Sequence, residues 1–97
     1  MNKPEAKVLE ILDHENKWMF GLEIVKQSAG SVKRASVYIH LSALEEDGWV
    51  KSRKDPNFKP AQESQLARTQ YHITHEGRRA HQEHASPQRV KLIPAHG

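Results

Sequence analysis

With 97 residues, 36% of them hydrophobic, and a net charge of +3, the chain fits one small domain with a modest core. No apolar run approaches the roughly 20 residues of a membrane-spanning helix, and the opening MNKPEAKVLE is polar where a secretory signal is apolar. The lack of cysteine excludes a disulfide scaffold, so a cytoplasmic protein with no membrane partner is expected. Residues 1–48 hold six Lys/Arg against eight Asp/Glu and residues 49–97 hold nine against four, so the halves carry −2 and +5. Such a skew suits a polyanionic partner and equally a solvated tail.

Pro4 suits the start of a helix, where a missing N–H is harmless. Val8, Leu9, Ile11 and Leu12 recur at helical spacing and predict a first helix over 4–15, ending near Asn16. Lys17–Gly21 reads as a short extended link, with Trp18 and Phe20 as plugs at the edge of the core. A second helix over 21–29 puts Leu22, Val25 and Ala29 on one face with Ile24 at its edge, and Gly30 is its C-cap. A third helix over 33–47 carries the core stripe Val37, Leu41 and Leu44, flanked by Tyr38 and closed by Gly48. Trp49–Arg53 is a short strand, 54–67 a long loop with Pro56 and Pro60, and 68–74 a second strand with Thr69, Tyr71 and Ile73 in phase. Thr74 can cap a short helix beginning HEGRRAHQEHA, weakened by Gly77. The tail from Ser86 is expected to be flexible, which gives a domain over 1–85 and a tail over 86–97.

Three helices followed by a hairpin make a mainly α fold with a small β-hairpin, the winged helix-turn-helix. The third helix is then the recognition helix. At 100° per residue, Ala35, Ile39, Ser42 and Glu46 lie opposite its core stripe. Ala35, Ser36, Ser42 and Ala43 are small enough to let the helix approach a DNA major groove, with Lys33 and Arg34 at the end that enters. Ile39 suits a thymine methyl in that groove and equally an isolated surface residue. The acidic run Glu45–Asp47 fits only if that end leaves the groove and faces solvent or a basic partner such as Lys51. Lys51 would also meet the DNA backbone. Around the loop, Arg53, Lys54, Lys59 and Arg68 form a basic wing for a phosphate backbone or a minor groove. Phe58 and Leu66 would anchor that loop to the body.

Other chemistries find little support. His81 and His84 stand at i, i+3, but His75-Glu76 does not continue as HExxH, so no metal site is expected. No glycine-rich phosphate loop is present, and nothing supplies the orienting acid of a Ser–His nucleophile. The chain reads as no enzyme, with no catalytic residue and no cofactor.

Four motifs carry a family resemblance. Gly21-Leu22-Glu23-Ile24-Val25-Lys26 resembles the GYEI(I)K opening of the second helix in PadR-like transcriptional regulators, and Ser36-Val37-Tyr38 resembles the TLY or SVY of their recognition helix. Leu41, followed by Leu44-Glu45-Glu46-Asp47-Gly48-Trp49-Val50, resembles their L..LEEEGLV, and Tyr71-His72-Ile73-Thr74-His75-Glu76-Gly77-Arg78 resembles the YRLTPEGR that closes their wing. The resemblance spans about residues 6–80. It implies a double-stranded-DNA-binding regulator, commonly a repressor, acting as a homodimer on a palindromic operator, with Tyr38 at a DNA phosphate. Two departures stand out. The family's SPGT start is Lys33-Arg34-Ala35-Ser36 here, leaving either Ser31 to cap instead or the helix to start loosely. Only about 20 residues follow Gly77, with Pro87 and Pro94 among them, so the family's long dimerisation helix is absent or vestigial. Either a dimer uses the first helix and the Val90–Ile93 cluster, or the protein is monomeric in solution and pairs only on DNA. The second function expected is a winged-helix protein–protein interaction module, using Ile39, the acidic run and that cluster. A small-molecule effector is left open.

Overall fold

The computed structural model describes residues 1–57 and 68–85. The elements in chain order are α1 (Lys3–Glu15), β1 (Met19–Phe20), α2 (Gly21–Gln27), α3 (Val37–Glu46), β2 (Val50–Lys54), β3 (Thr69–Ile73) and α4 (His75–Ala85). The architecture is mainly α-helical with a small antiparallel sheet, a winged helix-turn-helix.

A capping box begins α1: the Asn2 side chain accepts from the Glu5 N–H at 2.9 Å, and Glu5 Oε1 accepts from the Asn2 N–H at 3.3 Å. Asn16 ends the helix in the left-handed region at φ 50°, a conformation Asn tolerates. The predicted stripe Val8, Leu9, Ile11 and Leu12 is buried, as are the α3 stripe Val37, Leu41 and Leu44 and the strand residues Val50, Tyr71 and Ile73. Helices α1, α2 and α3 share this core with one face of the sheet.

The strand order is β1-β3-β2, all antiparallel. The link before α2 therefore holds a strand the local pattern did not reveal. Met19 pairs with Tyr71 and Phe20 with Gln70. The expected core plugs are corrected by this pairing: Met19 is fully buried, while Trp18 and Phe20, in alternate phase, are half-buried on the outer face.

The inward face of α2 also differs from expectation. Gly21 and Ile24 are buried together with Ser28, at helical spacing, whereas Leu22 and Ala29 are exposed and Val25 only packs at the core margin. The helix stops at Gln27, and Ala29 and Gly30 turn the chain with φ of 53° and 95°. Helix α3 starts four residues later than predicted, at Val37. Residues 34–36 form a turn because Ser36 N–H donates to Lys33 O at 3.1 Å before the helical ladder begins.

Helix α4 extends over eleven residues despite Gly77. Thr74 caps it, accepting from the Gly77 N–H at 3.0 Å and donating to Gly48 O at 2.7 Å. Gly77 is buried against the Trp49 carbonyl, so the residue that weakens the helix locally permits its docking. Arg78 secures the other side, bonding Asp13 Oδ1 at 3.2 Å and the Asn16 side-chain oxygen. The expected loop anchors Phe58 and Leu66 and the tail over 86–97 lie outside the described residues.

Candidate nucleic-acid interface

Helix α3 is aimed from both ends. Before it, buried Ser28 accepts from the Val32 N–H at 3.1 Å and donates to Val25 O at 2.7 Å, closing the turn between α2 and α3. Val32, 1% exposed, plugs that turn into the core. Gly21 admits the ring of Tyr38: a Cβ there would lie 2.6 Å from it. After the helix, Gly48 adopts φ 80° and the Trp49 N–H returns to Leu44 O at 3.0 Å.

The outward surface of α3 is uncharged at its centre. Ile39 is 68% exposed and Ser42 is exposed one turn on. Lys33, Arg34 and Ala35 are exposed in the turn that leads into the helix, not on its first turn. Ser36 is the N-cap residue, yet its side chain makes no capping bond; its hydroxyl leans back to Lys33 O at 3.5 Å. Ser31 is no substitute cap, because the helix begins at Val37. The first N–H groups of α3 thus carry no side-chain cap from Ser36, in a stretch with two cations.

Tyr38, Ile39, Ser42, Glu45 and Tyr71 line a hollow of about 340 Å³ beside this surface. Burial pushes the Tyr71 phenol up to about 12, with Tyr38 and Glu45 adding to the effect. Glu45 accepts from Ser52 Oγ at 2.8 Å, so its partner is the strand hydroxyl and not Lys51. Glu46 and Asp47 are exposed.

The hairpin divides the basic residues between two faces. Val50 is inward and Ser52 bonds α3, and Lys54 shares their phase. Lys51 and Arg53 point the other way, where Trp18 lies: the Arg53 guanidinium is 4.3 Å and the Lys51 ammonium 5.7 Å from its ring centroid. Arg53 Nε donates to Gln70 Oε1 at 2.9 Å, and the His72 ring tilts against Trp18 with centroids 5.3 Å apart. Arg68 lies 5.1 Å from the Phe20 centroid and pairs with Asp55, which is 7% exposed. Asp55 also accepts from the Asn57 N–H at 3.0 Å. From the sequence Asp55 stands only as an acid among the wing cations, although Asp55-Pro56-Asn57 is a turn signature, with Asp first and Pro second. Lys59 lies outside the described residues. No group of three or more His, Cys, Asp or Glu among the described residues converges as a metal-binding set.

An exposed helix set by a tight turn on an inner helix, followed by a strand hairpin with basic residues, defines the winged-helix class of DNA-binding regulators. The chain belongs to the PadR-like family of transcriptional regulators, whose sequence model matches residues 8–83. Among solved structures, the PcaV transcriptional regulator from Streptomyces coelicolor is similar over 97% of this chain and 62% of its own, at 21% identity and TM-score 0.71. A PadR family transcription regulator from Clostridium difficile R20291 is similar over 97% of this chain and 93% of its own, at 24% identity and TM-score 0.65. The protein TA0346 from Thermoplasma acidophilum is 26% identical over 94% of this chain and 84% of its own, at TM-score 0.64. The chain spans about three-fifths of the length of PcaV. No curated protein matches the sequence. Among the described residues, no helix is long and apolar enough to cross a membrane.

Proposed function

We propose that the protein is a cytoplasmic, sequence-specific double-stranded-DNA-binding repressor that reads a major groove with α3 and the turn before it. The observation that carries this reading is the surface of α3: Ile39 and Ser42 exposed on a helix whose other face is buried, with Lys33 and Arg34 at an N-terminus that Ser36 leaves uncapped. Small and apolar side chains permit close approach and meet a thymine methyl, while backbone N–H groups and cations meet phosphate. Tyr38, held against Gly21, contacts the backbone in this reading. Lys54, in phase with the strand residue that bonds α3, serves the wing together with Lys59. Lys51, Arg53 and Arg68 belong to the outer face, and Arg68 already pairs with Asp55. A homodimer would present two copies of α3 to a palindrome.

Selection of genomic fragments by the purified protein at about 0.15 M salt tests the proposal, because non-specific binding is weakened there. An enriched palindrome is the expected result; a folded protein that enriches no motif would refute it. On the motif recovered, Arg34→Ala and Ile39→Ala should flatten sequence preference by about 1–3 kcal/mol at the positions they read. Lys54→Ala should weaken all duplexes alike and lower the salt slope by about 1. Unchanged preference in both Arg34→Ala and Ile39→Ala would move the reading surface elsewhere.

A further inference from the structure

The outer face of the sheet is built as a binding surface of its own. Trp18, half-buried, sits under both Arg53 and Lys51, and Gln70 holds the Arg53 Nε at 2.9 Å. The guanidinium is therefore fixed in plane by the ring below it and in rotation by the amide beside it, leaving its terminal amino groups for an incoming acid. Among the described residues, neither Lys51 nor Arg53 pairs with a carboxylate. The nearby Arg68, by contrast, is neutralised by Asp55. Among the described residues the face thus presents two positive charges with no carboxylate partner, two residues apart on one strand, about 6.6 Å by strand geometry.

We infer that this face binds an extended acidic segment of a protein partner, with carboxylates at alternate positions matching Lys51 and Arg53. An extended chain repeats its side chains on one side at the same spacing as β2, so two acids in an acid-x-acid pattern meet both cations at once. The fixed guanidinium fork takes a carboxylate with two parallel hydrogen bonds. Two cations taken alone would neutralise only two phosphates, a weak and salt-sensitive hold on nucleic acid. A tryptophan bracketed by cations and a histidine is instead the composition of a protein hot spot. The face also lies across the sheet from α3, since Ser52 and not Lys51 touches Glu45. A partner can occupy it while α3 is engaged.

Solution NMR of the full chain labelled with nitrogen-15 tests this. The probe is an alternating Glu–Thr octapeptide, compared with an octapeptide of the same composition with its four glutamates contiguous, and with a short DNA duplex. Trp18→Phe assigns the indole N–H. The alternating peptide should shift the Trp18 indole and the Arg53 Nε–H saturably while leaving the α3 amides in place. Arg53→Gln, at an exposed position, should weaken the peptide at least fivefold, and the contiguous peptide should bind more weakly. Absence of a saturable shift at Trp18 up to about 1 mM peptide, a millimolar Kd being the floor of useful affinity, would overturn the inference. So would unchanged affinity in Arg53→Gln, or displacement of the peptide from Trp18 by the duplex, which would assign the face to DNA.

Discussion

A methyl group at Gly77 would overlap the Trp49 carbonyl oxygen and lie 2.8 Å from Ile73 Cγ1. Alanine gains roughly 1 kcal/mol of helix propensity over glycine, but overpacking against a backbone carbonyl costs about 1–3 kcal/mol. Gly77→Ala is therefore expected to lower the denaturant midpoint; a rise would show that the α4 contact is soft. Tyr71 supplies a second test. Its folded-state pKa of about 12 lies above the ordinary 10. Its stabilising share is thus complete below pH 10 and is lost as pH rises toward 12, an effect of roughly 2–3 kcal/mol for a shift of that size. Tyr71→Phe should flatten the fall in stability between pH 10 and 12. An equally steep fall in the variant would assign alkaline unfolding to other groups.

At the scale of the elements, Ser28 decides how α2 meets α3. Ser28→Ala leaves the buried Val32 N–H without its acceptor, an expected loss of about 1–3 kcal/mol. Chemical denaturation reads it, and an unchanged midpoint would mean the turn holds through Val32 packing alone. What could be read from the sequence follows the length of each periodic segment. The stripes of α1 and α3 and the alternation of Tyr71 and Ile73 are sustained, and these residues are buried as their spacing implies. Helix α2 has seven residues, too few for its own pattern to decide which side turns inward; the Tyr38 ring above Gly21 decides it instead. Strand β1 exists because β3, some fifty residues later, pairs with it, and no local pattern encodes that. The sequence pattern starts α3 too early because charged and small residues suit a first turn and a preceding turn equally. Lys51 and Arg53 are visibly in phase along the chain. Their shared ring, Trp18, is supplied by a distant segment that only the sheet brings beside them.

For the whole molecule, closure depends on α4 returning to α1. Arg78 joins the two through Asp13 and Asn16, and His81 Nε2 stands 3.8 Å from the second Asp13 oxygen. The pair is partly exposed, so Arg78→Ala is expected to remove about 1 kcal/mol. In a domain of this size that is a fall in Tm of about 4–8 °C. A melting temperature unchanged within error would show that apolar packing alone docks α4.

The corner at Gly48–Trp49 joins the end of α3 to the start of α4. The Trp49 N–H bonds back into α3, its carbonyl accepts from the Thr74 N–H at 3.0 Å, Thr74 grips Gly48, and Gly77 rests on the same carbonyl. Mechanically this is a weld and not a hinge: three hydrogen bonds and one close backbone approach converge on two residues. Helix α4 is in effect a lever arm on α3, and a force that tilts one must tilt the other or break the joint.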